Sequence, residues 1–165
     1  MKVREICARP ARACGPETNL AYAAWLMWDE DCGAIPVVDG ADRPVGMITD
    51  RDICIAVATR PLLASGIRVG DVMNGEVHWC GLDEDVRGAL RTMEEKGVRR
   101  LPVVDEKGKL AGVLSISDVI LSAREKTRNG AIGWADLMPA LDALSRPRKP
   151  KERATPARRV LVASS

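Results

Sequence analysis

Residues 45–53, VGMITDRDI, and 111–119, AGVLSISDV, carry one pattern 66 residues apart: Gly46 answers Gly112, Thr49 answers Ser115, and Asp52 answers Asp118. The same offset holds elsewhere without a gap. Val3 falls on Val69, Cys14-Gly15 on Cys80-Gly81, Met27 on Met93, and PVVD at 36–39 on PVVD at 102–105. An internal duplication constrains a fold more than any local signal, because each conformation proposed for one copy must suit the other. Two copies, about 3–58 and 69–124, make up most of the 165 residues and are joined by RPLLASGIRVG.

Each copy reads as β-α-β-β-α. A short extended piece (11–13; 77–79) precedes a helix with apolar residues at i, i+3, i+4 and i+7: Leu20, Ala23, Ala24 and Met27, then Val86, Ala89, Leu90 and Met93. Two β-rich runs follow, AIPVVD then PVGMIT, and RLPVVD then KLAGVLS, with polar, glycine-containing turns GADR and EKGK between them. A second apolar helix closes the unit at 53–58 and 119–123. A unit of this size has little core of its own. The expected fold class is therefore mixed α/β (α+β), with two repeats packed sheet to sheet about a pseudo-two-fold axis. The expected boundaries are repeat 1 at 1–60, a linker at 61–68, repeat 2 at 69–125, a C-terminal helical segment at 126–145 and a basic, disordered tail at 146–165.

Composition narrows the function classes. The net charge of +2 hides an asymmetry, since seven Lys/Arg face one Glu from Arg146 onward, so this tail carries +6 and the rest −4. The start, MKVREICARP, has no apolar stretch after its basic residues, and no run approaches the ~18 apolar residues of a membrane helix. Five cysteines without scaffold spacing fit a reducing compartment, so a cytoplasmic protein without a membrane partner is expected.

The doubled junction has two chemical readings. TDRD and SISD are capping boxes, in which a hydroxyl accepts a backbone N–H and a carboxylate three residues on reaches back, worth roughly 1 kcal/mol per helix. The same helix start offers free N–H groups to a phosphate, and its carboxylate can accept ribose hydroxyls. A cap has no use for Gly46 and Gly112, which weaken a strand, so the glycines favour close approach of a ligand to the backbone.

The β-α-β-β-α unit, the hPVVD strand and the Ghh[TS]xxD junction, in tandem over residues 1–124, resemble a pair of cystathionine-β-synthase (CBS) domains, or Bateman module. The plan also resembles small stand-alone bacterial stress-associated CBS proteins. The resemblance implies a non-catalytic sensor that binds an adenosine-containing ligand, such as AMP, ADP, ATP, S-adenosylmethionine or an NAD-like molecule, between its repeats. Carried over residue by residue, one cleft joins Val113, Ser115, Ser117 and Asp118 to Thr18, Ala23, Cys32, Gly33 and Ala34, with Arg99 and Arg100 at the phosphates. The other joins Met47, Thr49, Arg51 and Asp52 to Glu84, Ala89, Val98, Arg99 and Arg100. The first is favoured for the base, because Gly33 and Ala34 leave room where the second has Arg99 and Arg100, and because Glu84 replaces Thr18.

Other constellations are weaker. Cys14, Cys80 and the lone His78 lack the paired spacing of zinc sites, and buried small apolar residues are the simpler reading of the cysteines. Trp25 and Trp28 stand where copy two has Arg91 and Glu94, which marks an apolar contact face, expected to meet a second copy in a homodimer. AIGWADLMPALDAL reads as a short helix broken near Pro139. The basic tail alone is a poor nucleic-acid signal, and a protein target stays unidentified. No nucleophile-base pair or phosphate-binding loop marks an enzyme. An interaction module with vestigial clefts, acting through its dimer face and tail, is the alternative; a cysteine redox or metal sensor is a lesser one.

Overall fold

The computed structural model describes residues 1–125 and 132–146; the tail from 147 lies outside them, as do 126–131. The first repeat contains α1 (Leu20–Asp29), the antiparallel pair β1 (Ala34–Val38) and β2 (Pro44–Thr49), and α2 (Asp50–Thr59). The second contains β3 (Cys80–Gly81), α3 (Val86–Lys96), β4 (Arg100–Val104), β5 (Leu110–Ser115) and α4 (Ile116–Glu125), and is followed by α5 (Trp134–Ser145). The short first strand is two residues long in repeat 2 and a single parallel bridge, Cys14 to Val37, in repeat 1. The fold is mixed α+β with five α-helices among the described residues.

The hairpins show why PVVD occurs twice. Asp39 Oδ1 accepts the N–H groups of Ala41 and Arg43, and Asp105 Oδ1 those of Lys107 and Lys109. Each turn then passes through one left-handed residue, Asp42 or its counterpart Gly108. The turns also tie the repeats together. The carbonyl of Asp42 accepts Leu110 N–H at 2.8 Å, and its carboxylate pairs with Lys109 Nζ at 3.1 Å.

Each repeat has its own hydrophobic cluster, and each cluster includes a valine from a segment that no periodicity marks. Val69 is buried with Leu20, Met27, Ile35 and Ile48 of repeat 1; Val3 is buried with Val86, Met93, Leu101 and Leu114 of repeat 2. The segments 69–74 and 3–8 are at equivalent positions in the two copies, and each closes the sheet of the other copy. Asn74 exchanges two hydrogen bonds with Met47, at 3.0 and 3.1 Å. Ala8 exchanges two with Val113, at 2.9 and 3.1 Å. The segment 3–8 closes the sheet of repeat 2. It is held at the start of α3 by Val86 N–H on Met1 O and Val3 N–H on Glu84 O, as Leu20 N–H on Ile67 O and Val69 N–H on Thr18 O hold its counterpart.

Helix α5 runs through Pro139 instead of breaking there. The proline cannot donate to the Ala135 carbonyl, but full burial of Leu137 and Ala140, together with Ile132 just before the helix, offsets this loss. Arg87 clamps its start, with Nε and Nη2 donating to the two oxygens of Asp136 at 2.9 and 3.2 Å. The clamp holds the Asp136 carboxyl below the usual carboxylate range, with Gly133 N–H as a second cause.

Two outcomes are expected. A Cβ at Gly112 would stand 2.8 Å from Ala8 O, and one at Gly46 would stand 2.8 Å from Asn74 O. Gly112→Ala should therefore cost about 1–3 kcal/mol in urea unfolding, whereas Gly75→Ala, with nothing within 4 Å, should cost little; equal midpoints would refute the crossing. Because the folded-state pKa of Asp136 is lowered, its stabilisation is present above the unfolded value, about pH 4, and fades as pH falls through the folded one. Arg87→Met should remove that part of the acid transition, read as loss of protection of α5 amides in hydrogen exchange.

Candidate functional site

The two strand-to-helix junctions are built alike. Thr49 Oγ1 accepts Asp52 N–H at 3.1 Å and donates to Asp52 Oδ2 at 2.6 Å, while Thr49 N–H also reaches Oδ2 at 3.3 Å. At the second junction Ser115 Oγ accepts Asp118 N–H at 3.2 Å, and Ser115 Oγ–H and N–H both donate to Asp118 Oδ2 at 2.7 Å. In each box one carboxylate oxygen carries the cap. The other, Oδ1, makes no hydrogen bond among the described residues. Each junction thus presents a helix start with one spare carboxylate oxygen beside it, both partly exposed.

The glycines belong to a different interaction. The space above Gly46 is taken by Met73 and Asn74, and that above Gly112 by Cys7, Ala8 and Arg9. Their missing side chains admit the crossing segments rather than a ligand, which corrects the expectation drawn from sequence. Met47 and Val113 are half-buried bridge partners of those same segments.

Strand register sets the neighbours of each junction. Ala34 lies opposite Thr49 and Arg100 opposite Ser115. Gly33 O accepts Asp50 N–H, and Arg99 O accepts Ile116 N–H. Cys32, Gly33 and Ala34 therefore lie beside Thr49, and Val98, Arg99 and Arg100 beside Ser115 and Asp118. Among the described residues, no hydrogen bond or ion pair joins the first-cleft groups Ser115, Ser117 and Asp118 to Thr18, Ala23, Cys32, Gly33 or Ala34. None joins Thr49, Arg51 or Asp52 to Glu84, Ala89, Val98, Arg99 or Arg100. Ala23 and Ala89 are fully buried; the helical period puts them on the core face with Leu20 and Val86, so neither lines a cleft.

Thr18 and Glu84 do equivalent local work. Thr18 Oγ1 accepts Gly15 N–H at 3.2 Å, and Glu84 Oε2 accepts Gly81 N–H at 3.1 Å, each fixing the turn that leads into α1 or α3. Glu84 is thus turned to its own backbone. Gly33 offers less room than its size suggests, because Asp50 Oδ2 stands 2.8 Å from where its Cβ would be.

The electrostatics of the two junctions differ. Beside Ser115 stand Arg99 and the half-buried Arg100, which has no ion pair among the described residues; beside Thr49 stand Asp50 and the exposed Arg51. Arg99 Nη2 donates to the Leu144 carbonyl at 3.1 Å, a link to α5 that sequence gave no signal for. The thiols Cys14 and Cys80 are equivalent and buried, and burial pushes them to about 11 and about 12. No three His, Cys, Asp or Glu converge on a metal geometry among the described residues. No helix among them is long and apolar enough to cross a membrane.

Comparison with known proteins gives the family. The CBS-domain profile matches residues 3–59 and again 69–125. An uncharacterised protein of Methanopyrus kandleri, MK0525, is 31% identical over 120 residues, covering 73% of this chain; the chain spans 61% of that relative's length. The crystal structure of Hypoxic Response Protein I with two coordinated zinc ions superposes at a TM-score of 0.67 and 30% identity, over 73% of this chain and 98% of that one. The structure of CBSX2 in complex with AMP superposes at 0.64 and 26% identity, over 77% and 98%.

Ser115→Ala removes the acceptor for Asp118 N–H and should lower stability by about 1 kcal/mol. Denaturant unfolding reads this directly, and an unchanged midpoint would show that the box contributes nothing.

Proposed function

Because this chain belongs to the CBS-domain family, with two domains in tandem, we propose that it is a non-catalytic regulatory module for an adenosine-containing ligand, bound at its strand-to-helix junctions. AMP, ADP, ATP, S-adenosylmethionine and NAD are the candidates. The observation that carries this reading is the junction chemistry: the cap uses Asp118 Oδ2, leaving Oδ1 for a ribose hydroxyl, while Arg100 lies across from Ser115 without an ion pair among the described residues. A cation next to a helix start suits a phosphate. The AMP complex of CBSX2 supports the ligand class.

The Ser115–Asp118 junction is the preferred site. Its neighbours are two arginines, whereas Thr49 and Asp52 have Asp50 beside them, whose carboxylate stands against Gly33. The reading includes a cytoplasmic homodimer acting on a protein target. The half-exposed, stacked Tyr22 and Trp25, 5.5 Å between ring centres, support a contact surface on α1. The kinship with Hypoxic Response Protein I supports a stress-associated role.

One observation favours the alternative of an interaction module with vestigial clefts: Gly46 and Gly112 are accounted for without a ligand. Thermal melts separate the two. At least one of the five ligands should stabilise the chain, by ~2.7 kcal/mol at a hundredfold excess over Kd. Asp118→Asn should abolish that shift, measured against its own ligand-free melt, more fully than Asp52→Asn does. The absence of any shift at millimolar ligand would refute the proposal, and equal effects of the two variants would refute the choice of junction.

A further inference from the structure

Helix α5 makes the two repeats unequal in a way that exposes a second surface. On repeat 2 it covers the groove between α3 and α4. Leu137 and Ala140 are packed into the same cluster as Met93 and Val119, and all four are at most 1% exposed. The equivalent groove on repeat 1, between α1 and α2, has no such helix among the described residues. There Met27 and Ile53, the counterparts of Met93 and Val119, remain 5% and 9% exposed at the floor of a cavity of about 510 Å³. Trp28, 83% exposed, and Cys54 form its walls.

The rim differs as well. Asp31 and Asp50 line this cavity, at positions where repeat 2 has Gly97 and Ile116. Where Arg99 of repeat 2 holds the end of α5, repeat 1 has Gly33. A segment that fills the open groove must therefore bring apolar side chains for the floor and its own cations for the rim. The chain has one such stretch outside the described residues, RRVLV at 158–162. The twelve residues from Pro147 to Arg158 reach ~40 Å when extended. A body of this size is itself about 40 Å across, so the linker matches the width of the body.

We propose that the chain's own C-terminal segment docks in the groove between α1 and α2, with Arg158 and Arg159 against Asp31 and Asp50 and the following VLV over Met27 and Ile53. The groove shares Cys32, Gly33 and Asp50 with the neighbourhood of Thr49, but its lining includes none of Ser115, Asp118, Arg99 or Arg100, so failure of the ligand reading at the Ser115 junction leaves this proposal standing.

Cys54 is an exposed thiol on the groove wall and reports occupancy. A tethered segment sits at an effective concentration on the order of millimolar, so an intrinsic Kd of ~0.1 mM fills the groove about nine-tenths of the time and slows labelling roughly tenfold. The test is the rate of Cys54 alkylation by N-ethylmaleimide, read by peptide mass spectrometry, in the full chain and in full-length Arg158→Glu/Arg159→Glu. The full chain should label roughly tenfold more slowly than the variant at low salt, and molar salt should narrow the gap as the Debye length falls to ~3 Å. The protection should not depend on protein concentration. Equal rates at low salt would overturn the proposal. So would protection that grows with protein concentration, which would make a second copy the occupant.

Discussion

The structure depends on a crossing: an irregular segment of about six residues passes over a glycine in the last strand of each repeat. Two backbone hydrogen bonds at each crossing, Ala8 with Val113 and Asn74 with Met47, add an edge to a sheet too small to stand alone. A fully buried valine five residues earlier in each segment, Val3 or Val69, fills a core that the repeat's own helices leave open. The segment at the head of repeat 2 closes repeat 1, and the segment at the head of repeat 1 closes repeat 2. Residues 1–8 are thereby bound to elements some 80 to 105 positions away. The duplication is sequential along the chain and cyclic in space.

This crossing also decides how the conserved-looking junction should be understood. Glycine, hydroxyl and carboxylate occur together twice, but for two reasons. The glycine admits a backbone carbonyl at a distance no Cβ tolerates. The hydroxyl and carboxylate close a capping box. What remains for a ligand is narrower than the motif suggests: one carboxylate oxygen, a helix start and the neighbouring arginines. That residue of chemistry favours the Ser115 junction, because cationic and anionic neighbours are unevenly shared between the two.

Much of this was legible in the sequence, and the failures have physical causes. The 66-residue offset, the core stripes of α1 and α3, both hairpins and both capping boxes rest on periodicity or on interactions within five residues. VREICA and VGDVMN have neither signal. They form single 3₁₀ turns whose value lies entirely in distant partners, and without them the role of Gly46 and Gly112 could only be guessed. Trp25 and Trp28, three residues apart, share one side of α1 but have different neighbours. Trp25 stacks on Tyr22, while Trp28 turns to the groove shared with α2. Pro139 reads locally as a helix break, and the burial of Leu137 and Ala140, invisible to local sequence, carries the helix through it.

Arg99 links the neighbourhood of the Ser115 junction to α5. The helix is held by an arginine at each end, Arg87 on Asp136 at its start and Arg99 on the Leu144 carbonyl at its last turn. A cation at a helix C-terminus meets both an unsatisfied carbonyl and the negative end of the helix dipole. Arg99 also precedes Arg100, which faces Ser115 across the sheet. An anion that engaged Arg99 at the Ser115 junction would compete with the Leu144 carbonyl for that guanidinium. The size of the effect is bounded by the difference in ligand affinity between the docked and released states. In repeat 1 the same position is Gly33, which can make no such link. The copies therefore diverge at the position that ties repeat 2 to the last turn of α5.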